Sequence, residues 1–390
     1  MERLRKGSQQ KGVGAVGRKL SVAIAAGGTA GHINPALALA EELASRGHKV
    51  SFYGQSRRLE GTLVPQAGFE LTSLNISGFD RTRPWTLFSA IYRLRKAVRF
   101  LNKRFATQGA PDVAVGFGAY IELPLVEWCG SHGVPVVLHE QNSVPGLANK
   151  LSAGRSTTVC VSLPVAIDAF KSRVGDGTQI VVTGNPVRRS VIDASREAGR
   201  KAFGVADEET MLLVFGGSLG ARHLNEAVTA LKDELLKRPK LRIVHSTGKE
   251  LFDEVNQGLK LTDEQKARWQ VRPYIDNMGE ALAAADLVLS RAGASSIAEI
   301  AAIAVPSILV PYPLATADHQ TTNARYLVDA GAAVMVADKD IDDPAFAEQL
   351  LHLVDDAGAR DEMRTRARGL AQDKAASVLA DRVEEAAANC

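Results

Sequence analysis

Cysteine is nearly absent from this chain. Three residues in 390, Cys129, Cys160 and Cys390, are odd in number and far apart. They form neither a disulfide framework nor a metal-ligand spacing, which points to a reducing cytoplasm. Long apolar runs are also missing. No segment approaches the roughly 20 residues needed to span a bilayer, so a transmembrane helix is excluded. The first 19 residues carry Arg3, Arg5, Lys6, Lys11, Arg18 and Lys19. The apolar stretch after them is short and breaks at Gly27-Gly28, which reads as a first strand and not as a signal peptide. Residues 1–19 are expected to be a disordered basic tail. Short internal repeats and low-complexity segments are lacking as well.

What is present describes a soluble globular protein. Its 390 residues suit two domains, and 45% hydrophobic with 23% charged residues is ordinary for that class. The net charge of +3 conceals an asymmetry. Up to Val187 there are 22 Lys+Arg against 12 Asp+Glu, and beyond it 25 against 32. A basic first half suits an anionic partner such as phosphate, nucleic acid or an acidic membrane surface.

Glycine is plentiful, and its placement carries the most information. GGTAGH (Gly27–His32) follows the apolar run Leu20–Ala25, and GGSLGA (Gly216–Ala221) follows Met211–Phe215. Each leads into a helix-like segment, so each is a strand–turn–helix unit whose exposed amides and helix dipole suit an anion. A third turn, Ser290 to Ser296, follows the strand Leu287–Leu289. Further strands are expected at Lys49–Tyr53, Asp112–Val115, Pro135–His139, Leu241–Ser246, Val271–Tyr274 and Ser307–Val310. A helix is expected over Pro35–Arg46, with Pro35 in its first turn. This alternation predicts an α/β protein with two parallel-sheet, Rossmann-like domains facing a shared cleft. Asn185-Pro186 marks the expected boundary, giving 20–187 and 188–367. The alanine-rich end, Gly369–Ala388, either closes the second domain or crosses back to the first.

Several polar residues stand where ligands bind in such sheets. His32 follows the first turn and titrates near ~6.5, so it is either a proton acceptor or a partner of phosphate or backbone. Glu299, near the start of the third turn's helix, suits a vicinal diol such as that of ribose. Arg188 suits a phosphate, and Asn142, in His139–Asn142 (HEQN), ends a buried strand. Asp338, Asp340, Asp342 and Asp343 include Asp-x-Asp spacings that suggest a metal-dependent transferase. They lie in a charged stretch without a glycine turn, so an exposed acidic loop is expected and no metal site. Between Pro84 and Phe105, Trp85, Leu87, Phe88, Ile91, Tyr92, Leu94, Val98 and Leu101 alternate with Arg93, Arg95, Lys96, Arg99, Lys103 and Arg104. That is a basic amphipathic helix. It buries one face and suits contact with anionic lipid.

GGTAGH, HEQN, GNPVR, GGSLGA, SRAGASSIAE and DHQ follow one another in the order, and near the spacing, of the MurG-type glycosyltransferases. From about Leu20 onward the chain resembles that family, whose members move N-acetylglucosamine from UDP-GlcNAc to undecaprenyl-diphospho-muramoyl-pentapeptide. The resemblance implies a GT-B fold, a peripheral enzyme on the cytoplasmic face of the inner membrane, and a last helix (about 368–390) crossing back to the first domain. It places Thr29, Ala30 and Gly31 near the diphosphate, Asn142 and Arg188 on the donor, and Ser218 on a phosphate oxygen. Ile275 would meet the uracil through its backbone. Ala294, Ser295, Ser296, Ile297, Ala298 and Glu299 would hold diphosphate and ribose, with Gln320 on the sugar hydroxyls. Trp85, Leu87, Phe88, Ile91, Arg95, Lys96 and Arg99 fall in the membrane patch.

The chain departs from the family pattern at three positions. Ala30 replaces a frequent glycine and is therefore expected either to avoid a positive φ or to bear some strain. Thr321 stands where a second glutamine is common, and Leu219 where a glutamine is common. The expected chemistry is an inverting, metal-free in-line transfer to the muramoyl 4-hydroxyl with His32 as base. No cofactor and no nucleic-acid partner is expected. Two alternatives stay open: another UDP-sugar GT-B enzyme, such as a glycolipid synthase or an epimerase, or a non-catalytic UDP-sugar-binding regulator.

Overall fold

The computed structural model describes residues 18–76, 78, 85–217 and 220–389. Residues 1–17 of the expected 1–19 tail lie outside them, as do Ser218, Leu219 and Cys390. Arg18 and Lys19 are described, and Arg18 pairs with Asp112.

Two parallel sheets form the body of the protein. The first contains β1 (Ser21–Ala25), β2 (Lys49–Gly54), β3 (Glu70–Ser73), β4 (Val113–Gly116), β5 (Val136–Glu140), β6 (Thr158–Val161) and β7 (Gln179–Val182), in the order β3-β2-β1-β4-β5-β6-β7. The second contains β8 (Thr210–Phe215), β9 (Leu241–Ser246), β10 (Trp269–Arg272), β11 (Leu287–Ser290), β12 (Ser307–Leu309) and β13 (Ala333–Met335), in the order β10-β9-β8-β11-β12-β13. Helices cover both faces, so the central strands are continuous apolar runs with no polar side. Val22, Ile24, Val113, Val115 and Val137 in one sheet, and Leu212, Val214, Val288 and Leu289 in the other, are fully buried. This is the two-domain GT-B architecture.

The order of the strands positions the ligand loops. In each sheet the winding reverses beside the first strand, between β1 and β4 and between β8 and β11. Loops leaving adjacent strands at such a point part and open a crevice. The three glycine turns are the loops after β1, β8 and β11.

The expected helix Pro35–Arg46 is in fact α1 (Ala30–Ser45). Pro35 is its sixth residue, not part of its first turn. Proline is tolerated there because the carbonyl it leaves without a donor, that of Gly31, accepts from Ser295 Oγ at 3.2 Å. Strands β3, β6, β7 and β13 are not among the expected strands.

The last helix, α8 (Ala375–Ala388), packs on α1 and on β4, β5 and β6. Leu379, Ala380 and Val383 enter the core of the first sheet. Arg46 clamps it, donating to Ser377 O at 3.1 Å and Asp381 Oδ1 at 2.6 Å.

Candidate active site

The first glycine turn sits between a buried carboxylate and the head of α1. Gly28 has φ +90, which only glycine adopts freely. Ala30 opens the helix at negative φ, as expected. Thr29 is the N-cap residue, and its hydroxyl lies 3.0 Å from His32 Nδ1. A proton on Nδ1 shared with Thr29 leaves Nε2 as the acceptor. Beneath the turn Glu60, 1% exposed, accepts Gly28 N–H at 3.2 Å and Gln55 N–H at 3.0 Å. This corrects the picture of a wholly free cradle, because the Gly28 amide is already engaged. The first-turn amides of Ala30 and Gly31 have no intrahelical acceptor.

His32 is held neutral. Burial lowers its pKa most, with His319 adding to the lowering, while Glu140 and Glu60 pull it upward. A neutral imidazole can take a proton at physiological pH. Beside it runs the loop after β4. A Cβ on Gly118 would lie 3.3 Å from His32 Nε2.

α1 also reaches the second domain. Its partner across the cleft is α6 (Ala294–Ile303), which opens from the third glycine turn with Gly293 as N-cap residue. Ala294, Ser295 and Ser296 form its first turn, and Ile297 and Ala298 continue it above the core. Ser295 makes the contact to Gly31 described above. Glu299 is pushed up to about 7 by burial, against the opposing effects of a hydrogen bond from Asn34 and the charge of Arg188. Arg188 stands close to the Glu299 carboxylate, but its guanidinium donates to Glu41 Oε1 through Nε (2.9 Å) and through Nη2 (2.7 Å). It is therefore an engaged cation at the domain junction and not a free one.

The HEQN turn is a second junction. Glu140, 2% exposed, accepts from Asn142 N and Gly146 N at 3.0 Å each and from Asn149 Nδ2 at 2.8 Å. Asn149 lies on α4 (Leu147–Ser152). Asn142 also donates to Glu140 through its side chain at 3.2 Å. From the other domain, α7 (His319–Val328) contributes Asn323, whose Oδ1 accepts Ser143 N–H at 3.0 Å. Ser143 Oγ donates to His319 O at 3.2 Å. Gln320 Oε1 accepts from Ala292 N at 3.1 Å and Tyr312 N at 2.9 Å, which leaves its NH2 group for a ligand. Ile275 is buried at 4% exposure after β10.

The second glycine turn approaches the backbone of the next strand. Gly220 has φ +78, and a Cβ there would sit 2.1 Å from Thr247 O. Gly220→Ala is expected to cost at least ~2 kcal/mol, from left-handed backbone strain plus the clash. Urea unfolding would check this, and an unchanged midpoint would contradict it. After the turn comes α5 (Arg222–Ala230), whose His223 corrects the exposed-loop reading at Asp338, while Asp342 and Asp343 are exposed as expected. Asp338 is only 14% exposed and pairs with Arg291. It accepts from His223 Nδ1 at 2.9 Å, and Asp342 meets Nε2 at 2.9 Å. Arg291 in turn donates to Val310 O and Pro311 O at 3.2 Å each. Asp338 thus braces the third glycine turn. Among the described residues no group of three or more His, Cys, Asp or Glu side chains is placed to hold a metal ion.

The basic helix is α2 (Thr86–Gln108). Its second half turns Ala97, Leu101 and Phe105 inward, toward α3 (Leu123–Ser131). Its first half does the opposite. Trp85 (67%), Phe88 (79%) and Tyr92 (65%) are exposed, as are Leu87 and Ile91. Arg95, Lys96 and Arg99 stand exposed on the same helix. Among the described residues no helix is long and apolar enough to cross a membrane.

Comparison with known proteins gives this geometry its family. The glycosyltransferase family 28 N-terminal domain matches residues 22–174, and the family 28 C-terminal domain matches residues 211–383. The chain belongs to glycosyltransferase family 28. It is 36% identical over 367 residues (93% of this chain, 97% of the relative) to the UDP-N-acetylglucosamine–N-acetylmuramyl-(pentapeptide) pyrophosphoryl-undecaprenol N-acetylglucosamine transferase of Halothermothrix orenii. The protein of the same name from Carboxydothermus hydrogenoformans is 39% identical over 344 residues, covering 86% of this chain and 89% of that one. Among solved structures, Acinetobacter baumannii MurG superposes with a TM-score of 0.69 at 28% identity, over 94% of this chain and 99% of that one.

As a family 28 enzyme the chain is a glycosyltransferase, and its two glycine-turn helices face one another as that role requires. The structure brings His32, Asn142, Glu299 and the Ser295 turn to one junction. Sequence reading missed Glu60, Glu41, Asn34 and Asn323. Each lies mid-helix or at a helix start, without a local motif, and acquires its role only through a partner distant in sequence.

Proposed function

We propose that this chain transfers N-acetylglucosamine from UDP-GlcNAc to the 4-hydroxyl of the muramoyl residue of undecaprenyl-diphospho-muramoyl-pentapeptide. The observation that carries the proposal is the meeting of the first and third glycine turns, through Ser295 and Gly31, with a neutral His32 beside them. The donor diphosphate would rest on the N-terminus of α6 and on the turn before α5, where Ser218 would reach a phosphate oxygen. Glu299 would accept the ribose hydroxyls, the Ile275 backbone would meet the uracil, and Asn142 and Gln320 would read the sugar. Thr29, Ala30 and Gly31 would face the diphosphate from the first domain, and Arg188 would exchange Glu41 for a phosphate oxygen.

The acceptor hydroxyl then attacks the anomeric carbon in line. Its oxygen forms the new bond as the carbon–oxygen bond to UDP breaks, its proton passes to His32 Nε2, and the configuration inverts to β-1,4. Helix-terminal amides stabilise the departing diphosphate, so no metal is needed for that charge. Closure of the two domains around both substrates would exclude water. The enzyme would work as a peripheral protein on the cytoplasmic face of the inner membrane.

Labelled UDP-GlcNAc distinguishes this reading from its alternatives. Product is expected only when the lipid-linked muramoyl-pentapeptide analogue is present. Isomerised UDP-sugar without acceptor would indicate an epimerase, and tight UDP-GlcNAc binding with no product a regulator.

The exposed half of α2 carries the membrane reading. Apolar and basic side chains together bind anionic bilayers through burial and charge. The double variant Trp85→Ala, Phe88→Ala is expected to weaken association with vesicles containing anionic phospholipid by ~10-fold or more. Turnover of a short-chain soluble acceptor should be kept. Unchanged vesicle sedimentation would remove this face from the account.

A further inference from the structure

Glu122 is fully buried, at 0% exposure, at the N-cap position of α3. Its Oε2 accepts Gly118 N–H at 2.6 Å, and its Oε1 lies 2.9 Å from Ser152 Oγ at the end of α4. Among the described residues no cation pairs with it. A buried carboxyl without a cation favours its neutral form. Burial, with Glu140 adding to it, pushes its pKa up to about 8, against the opposing hydrogen bonds of Gly118 and Ser152.

The loop it supports is held in a rare shape. Gly118 and Ala119 have φ +84 and +59, and the second of these is strained for any residue with a Cβ. Gly118 lies tightly against the imidazole of His32: an added Cβ would meet Cδ2 at 3.2 Å and Nε2 at 3.3 Å. Glu122 therefore presses on one side of a strained loop whose other side bounds the candidate base. No nearby group duplicates this, since Glu60 bridges the first glycine turn and Glu140 ties the HEQN turn.

We propose that Glu122 is a positioning residue for the transfer reaction: as a neutral acid it joins the Gly118 amide to the Ser152 hydroxyl and fixes the Gly116–Tyr120 loop against His32. Its O–H donates to Ser152 Oγ while its other oxygen accepts from Gly118, so both carboxyl oxygens are satisfied without charge. The surrounding groups favour that state. From β5 come Glu140, a like charge, and His139, whose pKa burial lowers to about 4. From α1 comes His32, held neutral, on which Glu60 and His319 act in opposite directions. From α4 come Ser152, which meets Glu122, and Asn149, which meets Glu140. Ionisation would set a second negative charge beside Glu140 and exchange the O–H donor for an acceptor, loosening the loop.

This inference rests on the transfer reaction proposed above, and its test separates the two. Glu122→Gln copies the neutral acid, with the amide NH2 toward Ser152 and the carbonyl toward Gly118. We expect it to keep kcat at pH 7 within ~3-fold. The wild type should lose kcat/KM above about pH 8, and the glutamine variant should lack that alkaline limb. Glu122→Ala should lower kcat by ~10- to 100-fold through misplacement of the loop, while KM for UDP-GlcNAc changes less than ~3-fold. Circular dichroism would establish that each variant folds. An alkaline limb that persists in the glutamine variant would overturn the proposal, as would an alanine variant with wild-type kcat.

The second readout needs no turnover. In nitrogen-15 histidine spectra, the His32 signal of the wild type should show an inflection near pH 8 that is missing in Glu122→Gln. Its absence from the wild type would refute the role of Glu122. Its presence in a protein that transfers no sugar would instead refute the reaction.

Discussion

Replacing His32 with alanine should lower kcat by ~10²- to 10⁴-fold, the range for loss of a positioned general base. The reason lies in its surroundings. Burial keeps the imidazole neutral, Thr29 holds Nδ1 at 3.0 Å, and Nε2 borders the loop at Gly118. Binding of UDP-GlcNAc, measured by calorimetry, should change little, because the donor is expected to rest mainly on the second domain. A His32→Ala enzyme with near-normal kcat would deprive the imidazole of the base role and leave it a phosphate-orienting one. A raised donor KM with unchanged kcat would point the same way.

The second large effect belongs to Glu299. In its proposed role Glu299 accepts from two ribose hydroxyls, so Glu299→Ala should raise KM for UDP-GlcNAc by ~10- to 100-fold, since such hydrogen bonds contribute about 1.5–3 kcal/mol. The pH dependence adds a more specific signature. The pKa of Glu299 is raised to about 7 in the donor-free protein, so the carboxylate that the ribose needs is present above that pH and lost below it. Donor KM should therefore rise as pH falls through 7, and Glu299→Gln should flatten that dependence while raising KM throughout. An alanine variant with wild-type donor KM would move the ribose elsewhere.

Much of this site was legible in the sequence because it is local. A glycine turn between an apolar run and a helix is readable from a dozen residues, and the three that matter all lie at the switch points of the sheets. The continuous apolar runs named most of the central strands for the same reason.

What was not legible depends on partners far along the chain. Pro35 suggested a helix start, but the helix begins five residues earlier, and the Ser295 hydroxyl across the cleft takes the Gly31 carbonyl that the proline leaves free. Asp338 looked like a member of a solvated acidic run until His223 and Arg291 were seen beside it. Arg188 was expected on a phosphate, and its pairing with Glu41 could not be foreseen across 147 positions. Glu60 and Glu122 carry no motif in the sequence, and both are buried. Their burial beneath glycine loops follows from tertiary packing that no local pattern records.

The central claim is a metal-independent transfer of N-acetylglucosamine between two substrates that meet in the cleft. The most direct measurement is the yield of labelled product from UDP-GlcNAc and a lipid-linked muramoyl-pentapeptide analogue, with and without EDTA. The account predicts equal, acceptor-dependent formation of a β-1,4-linked disaccharide under both conditions. Product that vanishes with EDTA, or donor consumption that ignores the acceptor, would contradict it.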